Sequence, residues 1–229
     1  MPIIAEDVIP RMFLPQLTAL RNCIFGRVLP AFDQVESEAD QIQREALERL
    51  AATANEYTDG EDLAEAALEA GLKHYELMMG TRQTVMNALA VALYHLFEQQ
   101  RHVLTLRTFL DSEPDSRKRD KCFREFLEEH GVDRATFIHQ TKLEELHLVA
   151  NVAKHAEGQS AERLRALRPE IFLPPSIRND STPRSSSVRP VSLPLMGEDL
   201  FVQPEDLRAY LDAVESFWRF ILSQLSFPP

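Results

Sequence analysis

Apolar side chains recur in steps of three and four along residues 12–55, the spacing that places them on one face of an α-helix. The pattern keeps its phase through Pro30, whose ring removes one backbone hydrogen bond. It therefore predicts one bent helix or two collinear helices. The apolar positions are Leu17, Leu20, Ile24, Val28, Phe32, Val35, Ala39, Ile42, Ala46 and Leu50.

A second long helix is predicted from about Asp62 to Leu110. It follows a turn over residues 55–60, in which Asp59 or Thr58 is the expected N-cap. Between residues 85 and 96 the helix is apolar nearly all round, which is typical of a helix at the centre of a bundle. Gly80 marks the position where a break or bend is expected.

The remaining chain alternates shorter helices with polar connections. In order, these are a polar loop over 111–119, a helix over 120–130, a helix over 143–158, a basic helix from 160 to 168, a Pro/Ser-rich connection over 173–196 and a final amphipathic helix from 204. The pattern indicates an all-α protein. We expect a bundle of long antiparallel helices over residues 1–172, a connecting loop over 173–198, and a C-terminal helix over 199–229 that packs back on the bundle.

Composition narrows the class of protein. The chain has 229 residues, and 44% of them are hydrophobic, which is enough for a sizeable core. It has only 7 glycines, which is uncommon for a sheet protein. Cys23 and Cys122 are the only cysteines, so a disulfide scaffold or a cysteine-built zinc site is not expected. The N-terminus does not resemble a secretion signal and no apolar run is long enough for a bilayer, so we expect a cytoplasmic protein without a membrane partner.

The net charge of -11 is concentrated in one part of the chain. Residues 31–70 contain 12 acidic side chains and only Arg44 and Arg49 as basic ones, so this segment carries -10. The rest of the chain is close to neutral and compatible with an anionic ligand. An acidic segment of this kind docks a basic partner or is simply a solvated face.

Three polar residues line one flank of the helix over 143–158. His147, Asn151 and His155 are four residues apart and therefore lie one above another. A histidine acts as a general acid or base near neutral pH, and an amide can hold a phosphate or orient the imidazole. RNA supplies its own nucleophile, so a metal-free ribonuclease needs only a base, an acid and a cation. The alternative is that both histidines satisfy backbone groups at the edge of the core.

The segment Ala150–His155, followed by Ala156, Glu157 and Gly158, resembles the motif of the HEPN superfamily of helical bundles. That motif is an arginine, usually a polar residue, a few further residues and a histidine. Asn151 matches the polar position and His155 the histidine. The resemblance implies a HEPN-like bundle that forms a homodimer. It also implies a metal-independent RNA endonuclease of a toxin–antitoxin or antiviral defence system, with an antitoxin or regulatory protein as partner. The alternative that it implies is a catalytically inactive dimerisation or partner-binding module.

This chain departs from the motif at Ala150, where the family has arginine. On the resemblance, His155 is the base and Asn151 orients the phosphate. Lys154 with a nearby arginine, Arg163 or Arg165, then stabilises the developing charge, although a lysine lacks the two-pronged donor of an arginine. His147 is a further catalytic candidate.

Two other groups of residues offer alternatives. Glu144 and His147 form a Glu-x-x-His step of the kind found in di-metal carboxylate bundles, but the chain has no second such step, so no metal or other cofactor is expected. Arg101 and His102 complete a polar binding pocket if the bundle brings them beside the motif helix. Otherwise Arg101 forms an ordinary surface pair with Glu98. Basic side chains of the Pro/Ser-rich connection are candidates for phosphate contact, namely Arg178, Arg184 and Arg189.

Overall fold

The computed structural model describes residues 5–55, 57–109, 119–133, 136–178 and 190–225. Within these ranges every regular element is a helix, which confirms the all-α class. The α-helices are α1 (Ala5–Val8), α2 (Leu14–Cys23), α3 (Val35–Thr53), α4 (Gly60–Phe109), α5 (Arg119–Glu129), α6 (Gln140–His155), α7 (Gln159–Leu167) and α8 (Pro204–Leu225). None of the described helices is both long enough and apolar enough to cross a bilayer.

The N-terminal helical path changes its hydrogen-bond period at each proline. π-helical turns cover Ile9–Phe13 and Ile24–Val28, and a 3-10 turn covers Leu29–Phe32. Pro10, Pro15 and Pro30 each lie at the start of a segment, next to a position where the hydrogen-bond period changes, as expected where an amide hydrogen is missing inside a helix. The sequence predicted one irregularity of the helix, near Pro30. The structure has three irregular helical segments, and the chain then turns at Asp33 and Gln34 before α3.

Helix α4 has 50 residues, which corresponds to a length of about 75 Å. Asp59 caps it, since its Oδ1 accepts a hydrogen bond of 2.9 Å from the amide of Glu61. The helix runs through Gly80 without a break, and nothing lies within 4 Å of the position of a Cβ there. Met86, Ala90 and Leu93 are fully buried, so the apolar stretch is central as predicted.

The core lies where α4 packs against α6, α8 and the N-terminal helices. Trp218 of α8 is fully buried, and its ring centroid is 4.7 Å from that of Phe13. Its Nε1 donates a hydrogen bond of 2.6 Å to Oε1 of Gln100, whose Nε2 donates in turn to the carbonyl of Phe13 at 3.3 Å. The C-terminal helix is therefore part of the core.

Residues 190–203 lie along α4 and are held there by buried amide side chains. Asn87 donates hydrogen bonds to the carbonyls of Pro194 at 2.6 Å and Leu200 at 2.8 Å. Gln83 donates to the carbonyl of Val202 at 2.9 Å. Gly197 has φ of 78°, and a Cβ there would lie 2.9 Å from Cβ of Gln83, so both the turn and the close approach to α4 require glycine.

The predicted Pro/Ser-rich connection is described only at its two ends. Arg178 at its start donates hydrogen bonds to the carbonyls of Leu173 at 3.1 Å and Phe201 at 2.7 Å. Its guanidinium therefore stabilises the packing of these two segments. Arg184 and Arg189, the other two candidates for phosphate contact, lie outside the described residues.

Replacing Asn87 by alanine is expected to lower the free energy of unfolding by about 2–4 kcal/mol, because it leaves buried carbonyls of the 190–203 segment without donors. Urea denaturation followed by circular dichroism measures this loss. The control is Gln41→Ala, since the exposed Gln41 side chain bonds only Glu45. A loss no larger than that of the control would contradict the role assigned to Asn87.

Candidate functional site

The predicted site helix α6 ends at His155, three residues earlier than the sequence indicated, because Ala156 turns the chain. Ala156 has φ of 60° and ψ of -133°, and among the described residues it is the only non-glycine with positive φ. Such a conformation is strained and persists only where the surroundings hold it. In this protein the next residue, Glu157, holds the turn in place.

Glu157 fastens this turn to two other parts of the chain. Its carboxylate accepts two hydrogen bonds of 2.6 Å from Arg165 and one of 2.7 Å from the amide of Val191. The Arg165 hydrogen bonds, together with that amide, lower the pKa of Glu157 to about 2. The guanidinium of Arg165 also lies over the ring of Phe172, 5.1 Å from its centroid. Arg165, a predicted binding residue, thus contributes to the architecture of the turn.

Two of the three polar residues on the flank of α6 form a connected unit with α4. The hydroxyl of Tyr94 and Nδ1 of His147 are hydrogen-bonded, and their rings meet edge to face with centroids 5.0 Å apart. On the other side of the imidazole, Nδ2 of Asn151 donates a hydrogen bond of 2.9 Å to Nε2. This pattern assigns the ring proton to Nδ1, which donates to the tyrosine oxygen. Nε2 is then the basic nitrogen.

His155 lies apart from this unit. It is exposed at the last position of α6, next to the exposed Lys154. Within the described part of the chain neither side chain forms a hydrogen bond or an ion pair. The structure therefore pairs the Asn151 amide with His147, whereas the sequence motif paired it with His155.

His147 opens onto a cleft of about 340 Å³ lined by residues of α4, α5, α6, α7 and α8. Two of the predicted binding residues, Arg101 and Arg163, line the same cleft; His102 and Arg165 do not. The lining consists of Tyr94, Phe97, Arg101, Phe123, Gln140, Leu143, Glu144, His147, Arg163 and Phe217. Tertiary structure has thus brought a histidine and two arginines, far apart in sequence, into one cavity.

The polar groups of the cleft favour an anionic ligand with hydroxyl groups. Arg101 lies over the rings of Phe97 and Phe123, 5.0 and 5.6 Å from their centroids, which fixes its planar group on the apolar wall. Arg163 forms an ion pair of 2.5 Å with Glu144, and Arg101 is the second guanidinium of the lining. Oε1 of Gln140 is buried and has no hydrogen-bond partner among the described residues. Such an acceptor fits a donor on a ligand.

The opposite face of α6 carries a buried charged network that the sequence reading did not identify. Glu145, 4% exposed, accepts hydrogen bonds from Lys142 at 2.5 Å, from Tyr210 at 2.7 Å and from Arg168. Arg168 also pairs with Asp206 at 2.6 Å. The network joins α6, the end of α7 and the start of α8. A signal existed, since Glu145 is in helical phase with the buried Leu148, Val149 and Val152.

The charges and hydrogen bonds of this network favour the ionised forms of Glu145 and Arg168. Burial by itself raises the pKa of Glu145, but the hydrogen bonds from Lys142, Arg168 and Tyr210 outweigh it and the pKa lies below 4.5. Burial lowers the pKa of the Arg168 guanidinium, but the hydrogen bond and charge of Glu145 and the charge of Asp206 reverse that effect and raise the pKa. Burial and the neighbouring Glu145 raise the pKa of Tyr210 well above 10, so its hydroxyl stays a donor.

Neither Glu144 of the Glu-x-x-His step nor the neighbouring Glu145 is arranged for a metal ion. Glu144 pairs with Arg163, and Glu145 faces the network on the other side of the helix. Across the described ranges, no three side chains of His, Cys, Asp or Glu are grouped as metal ligands would be.

Comparison with known proteins identifies no relative. The chain matches no protein-family model, and neither a curated protein nor a solved structure is significantly similar to it. The HEPN resemblance therefore rests on the motif of α6 and the helical layout, and it stays a prediction.

Replacing Glu145 by glutamine is expected to lower the free energy of unfolding at pH 7 by about 3–5 kcal/mol, because Arg168 and Lys142 lose a buried counter-charge. The folded-state pKa of Glu145 lies below its unfolded value near 4.5. Its stabilisation is therefore fully present above that pH and is lost as pH falls through the folded-state pKa.

The difference between wild type and Glu145→Gln should consequently shrink as urea titrations are taken from pH 6 to pH 3. Glu128→Gln, at an exposed position of α5, is the matched control and should show a small, nearly constant difference. A Glu145→Gln difference that stayed constant with pH would rule out the ionised network as its cause.

Proposed function

We propose that this chain is a HEPN-like protein that binds single-stranded RNA through the cleft between α4 and α6 and cleaves it without a metal ion. The observation that carries the proposal is the position of His147, which lines the same cavity as Arg101 and Arg163 and whose Nε2 accepts a hydrogen bond from Asn151. The proposal keeps the reaction class of the resemblance but moves the base from His155 to His147.

The chemistry requires one proton acceptor and a cationic surface. The 2′-hydroxyl of the RNA takes the place of the Asn151 amide at Nε2 of His147 and gives up its proton there. The oxygen attacks the adjacent phosphorus, the bond to the 5′-oxygen breaks, and that oxygen takes a proton from solvent. The products are a 2′,3′-cyclic phosphate and a 5′-hydroxyl. Arg101 and Arg163 stabilise the charge that develops on the phosphoryl oxygens.

The size and the polar lining of the cleft match one nucleotide of a single strand. A volume of about 340 Å³ is at the small end for ligand sites and too narrow for a duplex. The unpaired Oε1 of Gln140 supplies an acceptor for a ribose hydroxyl or a base amino group. The acidic segment 31–70 carries nearly all of the net charge, so the rest of the chain does not repel a polyanion.

A second candidate is the catalytically inactive module of the same superfamily. It is favoured by the fact that both ring nitrogens of His147 are already hydrogen-bonded within the chain, to Tyr94 and Asn151. In that case the cleft binds RNA or a nucleotide and releases it unchanged.

The resemblance also supplies the setting that we infer for either candidate. The protein acts in the cytoplasm, as a homodimer, in a defence or toxin–antitoxin system with an antitoxin or regulatory protein as partner. The unpaired cysteines, Cys23 and Cys122, are compatible with a reducing compartment. Light scattering of the purified protein measures the oligomeric state directly.

Wild type, His147→Ala and His155→Ala should be incubated with labelled single-stranded RNA in EDTA. Because His147 is the base, we expect its replacement to lower the cleavage rate about 100-fold or more, and that of His155 less than about threefold. An all-deoxy strand, which lacks the nucleophile, should not be cut. If only His155→Ala lost cleavage activity, the catalytic centre would lie at the end of α6. If wild type bound RNA without cleaving it, the second candidate function would be the one supported.

The role of the cations is tested by RNA binding. Arg163→Gln should weaken binding of a labelled 12-nucleotide strand about fivefold and lower the slope of log affinity against log salt by about 0.7. Arg219→Gln is the matched control, since the two side chains are similarly exposed (61% and 63%) and each pairs with one glutamate. Equal effects of the two replacements would show that RNA does not enter the cleft.

A further inference from the structure

Helix α3 and the first turns of α4 form an acidic hairpin (residues 35–75) with an apolar groove on one face. The groove has a volume of about 350 Å³. Leu68, Leu72 and Tyr75 of α4 lie along it, and Glu36 and Asp40 of α3 lie beside them. Leu68 and Leu72 are 45% and 52% exposed, which is unusual for two leucines one turn apart on a helix that buries its other face.

The two helices approach closely beneath the groove. A Cβ at Gly71 would lie 2.9 Å from the carbonyl oxygen of Ala39, so the two helix backbones are in contact at this point. Ala39, Ala46 and Ala67 are buried between the helices. Because the residues between the helices are small, the larger Leu68 and Leu72 remain outside and are about half exposed.

The carboxylates of the hairpin have few ionic partners in the described part of the chain. In the described part of residues 31–70 no carboxylate forms an ion pair with a lysine or an arginine; Glu38 meets only His74, at 3.4 Å. Glu36 and Asp40 form no ion pair at all among the described residues. The segment carries -10, which makes an unpartnered hairpin repel itself and attract cations.

This charge identifies the occupant of the groove. A second copy placed groove to groove would bring two such segments together, and nucleic acid or an anionic membrane would be repelled as well. We propose that the groove docks a basic amphipathic helix of another protein. Its aliphatic side chains, spaced at i, i+4 and i+7, enter between Leu68, Leu72 and Tyr75, and its lysines and arginines face Glu36 and Asp40. The surface is distinct from the α4–α6 cleft and does not depend on the proposed RNA chemistry.

The probe is a fluorescein-labelled, 18-residue peptide of leucine and lysine with all leucines on one helical face. A peptide of the same composition without that face is its control. In fluorescence polarisation with the whole chain, the amphipathic peptide should bind about tenfold more tightly than the scrambled one, because only it can fill the groove.

Leu72→Asn should weaken binding of the amphipathic peptide about tenfold, and Glu36→Gln with Asp40→Asn about fivefold together with a smaller salt dependence. Leu77→Asn is the matched control, since Leu77 lies on the same helix at 63% exposure but outside the groove, and it should change binding less than twofold. Circular dichroism verifies that each variant is folded.

Equal binding of the two peptides, or equal effects of Leu72→Asn and Leu77→Asn, would reduce the interaction to charge alone and overturn the proposal. So would light scattering that shows a dimer of wild type and a monomer of Leu72→Asn, since the groove would then be filled by a second copy. RNA cleavage by Leu72→Asn should equal that of wild type, which separates the failure of this proposal from that of the RNA site.

Discussion

The architecture depends on satisfying the polar side chains that α4 carries into its own buried face. Gln83, Asn87 and Gln100 are at most 8% exposed, and a buried amide without partners costs free energy comparable to several lost contacts. Each finds partners in segments that are distant in sequence. Gln83 and Asn87 bind the carbonyls of residues 190–203, and Gln100 binds Trp218 of α8 and the carbonyl of Phe13. These bonds fix the register in which both chain ends pack on α4.

The same principle positions the candidate site. Tyr94 lies on α4 between Asn87 and Gln100 and is 5% exposed, so its hydroxyl needs a partner, which His147 of α6 provides. On the other face of α6, Glu145 recruits Arg168 and Tyr210 from α7 and α8. Helix α6 is thus held by polar contacts on both faces. Its histidine lines a cleft whose walls come from five helices, and this position gives the proposed chemistry its physical basis.

The acidic hairpin follows a different rule. It is held by small residues, Ala39, Ala46, Ala67 and Gly71, rather than by buried polar groups, and its charge faces solvent. The molecule therefore separates two kinds of surface: a cleft lined by a histidine and two arginines, for which we propose an anionic ligand, and a groove beside Glu36 and Asp40, for which we propose a cationic helix. Because the screening length at physiological ionic strength is about 8 Å, charges at the far end of a helix about 75 Å long have little effect on the cleft.

The sequence by itself determined the helices of this protein, because helix formation depends on residues three and four apart. It predicted the all-α class, the long central α4 and the amphipathic α8 beginning at Pro204, it left Asp59 or Thr58 as the cap of α4, and it singled out His147, Asn151, Arg101 and Arg163. Tertiary structure alone decided which of these meet. Tyr94 and His147 are 53 positions apart, Tyr210 and Glu145 are 65 apart, and Trp218 and Gln100 are 118 apart. No local pattern encodes those pairings, since each is the result of packing helices so that these buried polar groups find partners.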